Sequence, residues 1–328
     1  MYRLLVLLAV GLAFVVIVVG AYVRLEDAGL GCPDWPGCYG QLFGVPEAAH
    51  EVAQAGQAFP GKQVDVGRAR KEMFHRYLAG TLGLLILALA VIAWRGRGAL
   101  RQSPWLSTTL AVLVAFQATL GMWTVTMLLK PALVMLHLLG GMVTLALLIW
   151  LALRQQAPAA SPAPLAHRLR PWAAIGLVVL VAQIALGGWV SANYAALACT
   201  DFPTCNGRWL PPMDLQHAFH MVRELGVTAA GAPLSHEALT AIHWTHRLGA
   251  LITVLYLGGL AVVLLRAPGL AVHGALLLAL VLAQAALGIA NVVASQPLAL
   301  AVAHNAGAAL LLTIVVVLNF TVFQRHET

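Results

Sequence analysis

Eight uncharged runs constrain this chain more than any other feature, at about residues 4–22, 77–94, 105–129, 131–153, 172–194, 248–265, 269–294 and 297–323. A helix rises 1.5 Å per residue, so runs of ~18 residues or more cross the ~30 Å hydrocarbon core of a bilayer. Within lipid the backbone must satisfy its own hydrogen bonds, which makes each run a helix. The chain is 61% hydrophobic and only 9% charged, too apolar for a soluble protein of its size to bury. The expected fold class is an all-α integral membrane protein with eight transmembrane helices.

Charge orients the helices. With the N-terminus in the cytoplasm, the inner segments hold Arg3, Arg95, Arg97, Arg101, Arg154, Arg168, Arg170, Arg266 and Arg325, with Glu327 as their only acid. This is the positive-inside pattern. It predicts a multi-pass membrane protein with both termini cytoplasmic and the long cysteine-bearing loops outside. The net charge of +7 then reflects topology, and nothing points to nucleic acid. The first run resembles a signal peptide only loosely. It lacks a small-x-small cleavage site, and the repeat described next requires it as a span.

The sequence is duplicated. Cys199 follows Cys32 by 167 residues, as Cys205 follows Cys38 and His304 follows His137. Gly20–Cys38 and Gly187–Cys205 share 8 of 19 residues, and "QATLG" at 117–121 returns as "QAALG" at 284–288. A repeat of this length means a duplicated unit. Two pseudo-symmetric four-helix bundles are expected, residues 1–156 and 157–328, each with a long outer loop (25–71 and 195–242) between its first two spans.

Cysteines spaced like Cys32/Cys38 and Cys199/Cys205, in an oxidising compartment, suit local disulfides. They are read either as staples that hold each loop over the membrane mouth or as redox-active pairs. Close C-x2-4-C spacing for zinc is absent.

Four of the twelve histidines lie at similar depth towards the outer side, one on each even-numbered span: His75, His137, His246 and His304. Ionisable residues within a span are costly and usually functional. Paired imidazoles from facing helices of a bundle are the usual way to hold a haem iron, and packing histidines are the bland alternative. Gly140, Gly141, Gly249 and Gly307 beside them would let a flat macrocycle approach the backbone. Arg76 and Arg247 directly follow two of the histidines, as candidate partners for haem propionates or as snorkelling anchors.

The halves differ at one informative position. Glu72 precedes His75 by three residues, where His243 precedes His246. A carboxylate beside only one haem site marks that half as the reaction site, with Glu72 as proton acceptor and the other half transferring electrons. The alternative is a charge placed for the helix dipole.

With "EMFHR", "THRLGA", both cysteine loops and the His137/His304 repeat assembled, the chain resembles the haem A synthase family over all eight spans. The resemblance implies an oxidoreductase that converts the C8 methyl of haem O into the formyl group of haem A for terminal oxidases. It assigns haem b, with its iron, to His246 and His304, and substrate haem O to His75 and His137. It places the family's catalytic carboxylate on Glu72 and its loop cysteines on Cys32, Cys38, Cys199 and Cys205. His243 stands one turn from His246, and only the "HR" match selects between them. If both first-half ligands stay bound, the inserted oxygen comes from water; if one leaves, dioxygen chemistry at the iron opens. Implied partners are haem O, membrane lipid, haem O synthase, an electron acceptor such as a quinone, and a second copy of the chain. The rival classes are a di-haem b electron carrier, which leaves Glu72 unexplained, and a quinone-linked disulfide oxidoreductase, which leaves the histidines idle.

Overall fold

The computed structural model describes residues 1–100, 103–155 and 167–323. The expected division at 156/157 lies outside the described residues, as do Arg101, Arg325 and Glu327. The described residues form helices joined by turns and loops, with isolated bridges and no strands. The helices are α1 (Tyr2–Leu25), α2 (Ala49–Ala58), α3 (Val66–Arg95), α4 (Trp105–Thr126), α5 (Pro131–Arg154), α6 (Arg170–Ala192), α7 (Leu215–Ala218), α8 (His236–Leu265), α9 (Ala271–Val293) and α10 (Leu298–Phe323). All but α2 and α7, eight in number, are long and apolar enough to cross a membrane.

Two of these helices begin well before their apolar runs. Helix α3 starts at Val66 and α8 at His236, each with 30 residues, so each is ~45 Å long and outreaches the hydrocarbon core. Apolarity marks where lipid begins, whereas capping marks where the helix begins. The Asp65 side chain accepts from Arg68 N at 3.0 Å, and Ser235 Oγ accepts from Ala238 N at 3.1 Å. Arg68, Arg70 and Lys71 in the early turns are good helix formers that need not enter lipid. In consequence His75 is the tenth residue of α3, not its outer end, and Glu72 the seventh. The helix-start reading of Glu72 is corrected: it lies beyond the first turn, where the dipole acts.

Helices α1, α3, α4 and α5 neighbour one another in a ring, and α6, α8, α9 and α10 in another. The rings meet where α1 touches α10 and where α5 touches α6 and α10. Small and branched side chains face these contacts. On α1 the buried residues Val6, Ala9, Ala13 and Ile17 recur every three or four positions, forming one stripe. The opposite face carries exposed Leu4, Leu7, Leu8 and Val15, as expected of a surface solvated by lipid.

Candidate functional site: paired histidines beneath two disulfide loops

Each cysteine loop is closed by its own disulfide, Cys32–Cys38 and Cys199–Cys205, and all four cysteines are fully buried. An aspartate organises each loop. Asp34 accepts from the main-chain N–H of Tyr39 (2.6 Å) and Gly40 (2.8 Å); Asp201 accepts from Asn206 (2.5 Å) and Gly207 (2.9 Å). These contacts require a left-handed pair in each loop, Tyr39–Gly40 and Asn206–Gly207. Asp201 also accepts from the Thr204 hydroxyl, and that bond, followed by the Gly207 N–H, holds its pKa below the ordinary 3.8.

The loops are clamped to the helices below by two arginines. Arg76 Nη1 donates to the carbonyls of Asp34 (2.9 Å) and Gly37 (2.5 Å), and Arg247 Nη1 to those of Asp201 (2.9 Å) and Thr204 (2.8 Å). Both guanidinium groups thus donate to loop main chain. The signal was in the sequence as the repeated His-Arg step, but nothing local says which carbonyls an arginine will find.

Glu72 and His243 complete the clamps. Glu72 is 4% exposed, and its two oxygens accept from Cys32 N (2.9 Å) and Arg76 Nη2 (2.5 Å). His243, also 4% exposed, lies 3.3 Å from Cys199 N through Nδ1 and 3.3 Å from Arg247 Nε through Nε2. A carboxylate accepts both bonds at once. A neutral imidazole has a single lone pair, so it satisfies one donor at a time.

Below the clamps lie the four imidazoles. His75 lies within electrostatic reach of His137, and His246 within reach of His304. Each ring rests against a glycine of a neighbouring helix. An added Cβ would lie 2.9 Å from His75 Cε1 at Gly20, 3.3 Å from His137 Cε1 at Gly121, 3.1 Å from His246 Cε1 at Gly187 and 3.2 Å from His304 Cε1 at Gly288. Sequence reasoning missed these four glycines, although the repeat offset pairs Gly20 with Gly187 and Gly121 with Gly288. The flanking glycines it did single out have a different use. Gly140, Gly249 and Gly307 admit the side chains of Gln117, Gln183 and Gln284, whose amide atoms a Cβ would meet at 1.4, 2.4 and 2.2 Å. Gly141 has only Ile17 near, at 3.8 Å.

The donor set discriminates among metals. Among the described residues no three His, Cys, Asp or Glu side chains gather as a cation site. Two imidazoles per centre suit an iron whose other four ligands come from a porphyrin. The Nδ1 atoms of His75, His137 and His304 are buried without a well-formed hydrogen bond, so these rings are not used up in structural bonding. The residues present fit a bis-imidazole haem.

Fold and site together define a polytopic helical membrane protein with paired histidines under disulfide-closed loops. Residues 3–316 match the cytochrome oxidase assembly protein family (COX15-CtaA), and the chain belongs to that family. It is 44% identical to a heme A synthase of Shewanella oneidensis, over 98% of this chain and 97% of that one. It is 29% identical to a heme A synthase of Caulobacter vibrioides over 92% and 90% of the two chains, and 28% identical to one of Halalkalibacterium halodurans over 71% and 72%.

Proposed function

We propose that this protein is a haem A synthase, an oxidoreductase that takes haem O as substrate and converts its C8 methyl group to a formyl group. The observation that carries this reading is the near full-length similarity to a heme A synthase, in a chain whose half-buried histidines lie within electrostatic reach of one another beneath disulfide loops. The overall change balances as a methyl group plus one water giving a formyl group, four protons and four electrons. A quinone-class acceptor takes the electrons.

In this reading His75 and His137 bind substrate haem O, and His246 and His304 hold resident haem b. That haem supplies one-electron chemistry when bound. Glu72 takes a proton released at the substrate's edge. Each of its oxygens has two lone pairs, so an acceptor position stays open beside the Cys32 and Arg76 contacts. The disulfides are staples, because their cysteines are buried and their loops are closed and clamped onto the helices that carry His75 and His246.

The two-bundle organisation is part of the same proposal. It is supported by contacts between repeat mates: Arg24 donates to Ser191 O at 2.8 Å, and the Tyr194 hydroxyl donates to Asp27 at 2.8 Å. Both pairs are 167 residues apart, the repeat offset, and equivalent residues touch only near the axis relating their repeats. The loops face outward, consistent with the arginine excess at the opposite helix ends. Expression in a membrane host that makes haem O but no haem A tests the function. Extracted haem should contain haem A and a hydroxylated intermediate; their absence from cells with abundant protein would overturn it.

A further inference from the structure

Three of the four paired histidines have a glutamine companion, and the fourth does not. Gln183 Nε2 lies 3.0 Å from His246 Nδ1 and donates to the His246 carbonyl at 3.1 Å. Gln284 Nε2 donates to the His304 carbonyl at 2.8 Å. Gln117, only 8% exposed, enters the gap at Gly140 on the helix of His137 by packing alone, its Nε2 buried without a hydrogen-bond partner. In each case the glycine three residues after the histidine makes room for the amide. At His75 the glutamine position holds Val16 (the mate of Gln183 at offset 167), and the third residue after the histidine is Leu78. Among the described residues the Nδ1 atoms of His75, His137 and His304 are alike buried with no hydrogen-bond partner, so what sets His75 apart is the missing glutamine and its missing glycine gap.

We propose that Gln117, Gln183 and Gln284 are positioning residues for three fixed haem ligands, and that His75 is the exchangeable ligand of the substrate site. The inference rests on the proposed function and deepens it. A hydrogen bond to the carbonyl of a ligating residue fixes its helical turn, and a contact at Nδ1 fixes its ring; such partners typically change affinity ~10–100-fold. A resident haem must stay through every turnover, which suits two held ligands. A substrate haem must enter and leave as product, which suits one held ligand and one released by ring rotation alone. His137 is then the tether and His75 the latch.

Carbon monoxide reads this directly, because it binds ferrous haem only where an axial ligand gives way. The test uses full-length protein purified in detergent from cells producing haem O, reduced with dithionite and titrated with carbon monoxide. In the parent the substrate haem should bind carbon monoxide and haem b should not. Gln183→Leu should make haem b reactive, by ~10-fold or more, or lower its retention in protein of normal abundance. Val16→Gln combined with Leu78→Gly should lower the reactivity of the substrate haem by ~10–100-fold. Haem b in Gln183→Leu that is as inert and as fully retained as in the parent would overturn the inference, whether or not the double variant folds. A folded parent without any Soret band would instead refute the proposed function and this inference with it.

Discussion

The main-chain N–H of Cys32 donates to the Glu72 carboxylate across 2.9 Å, which ties the first disulfide to the helix turn that carries His75. The second half makes the corresponding contact between Cys199 N and His243 Nδ1 at 3.3 Å. A structural clamp is therefore common to both halves, whereas a carboxylate is particular to the first. That separation allows the two roles of Glu72 to be tested apart.

Glu72→Gln retains an acceptor oxygen for Cys32 N and removes the charge. As a general base, Glu72 is worth ~10²–10⁴-fold, so conversion of haem O should fall by about that factor while haem b stays bound and both disulfides stay closed. Haem extraction and chromatography check this. Activity near the parent's would leave Glu72 with the clamp alone.

Gly20 and Gly187 are expected to be sensitive to a single methyl group. Their added Cβ atoms would come 2.9 and 3.1 Å from the Cε1 atoms of His75 and His246, whereas nothing lies within 4 Å of one at Gly11 on the same helix as Gly20. In a helix Gly→Ala otherwise stabilises by ~0.5–1 kcal/mol. Gly11→Ala should therefore be neutral or stabilising. Gly20→Ala should lower conversion without altering the haem b spectrum, and Gly187→Ala should alter that spectrum. Equal behaviour of all three in visible spectra and haem extracts would refute the ring contacts.

Much of this arrangement was legible in the sequence, for identifiable reasons. Long apolar runs announce helices because lipid leaves the backbone no other partner, and the duplication is visible because Cys32/Cys199 and His137/His304 keep one offset. The starts of α3 and α8 were not legible, since their first turns are polar and their boundaries are set by Asp65 and Ser235. The arginines were recognised beside the histidines, but their loop carbonyls are distant in sequence. Gln183 went unnoticed because a lone glutamine in an apolar run carries no signal until its partner, Gly249, is seen across the helix contact.

Low pH should loosen the second loop through Asp201. Its pKa is lowered, chiefly by the Thr204 hydroxyl and then by the Gly207 N–H. The stabilisation is therefore complete above the ordinary value of 3.8 and is lost as pH falls through the lower folded value. Protection of the Asn206 and Gly207 amides, measured against their intrinsic exchange at each pH, should collapse below about pH 4. Asp201→Asn should remove that pH dependence. Unchanged protection in the parent down to pH 2 would contradict the role of the ionised carboxylate.

His243 and His246 should separate cleanly. His246 rests against Gly187 and is held by Gln183, whereas His243 faces Cys199 N and Arg247 Nε. His246→Ala should abolish the low-spin haem b spectrum, as should His304→Ala, because each removes an axial ligand. His243→Glu should keep that spectrum and tighten the clamp. An imidazole satisfies one of the two donors, whereas a carboxylate accepts from both, as Glu72 does opposite Cys32 and Arg76. A gained hydrogen bond to a charged group is worth ~1.5–3 kcal/mol. The Cys199–Cys205 bridge should then resist reduction by dithiothreitol more strongly than in the parent. A His243→Glu protein that loses haem b while His246→Ala retains it would reverse the ligand assignment.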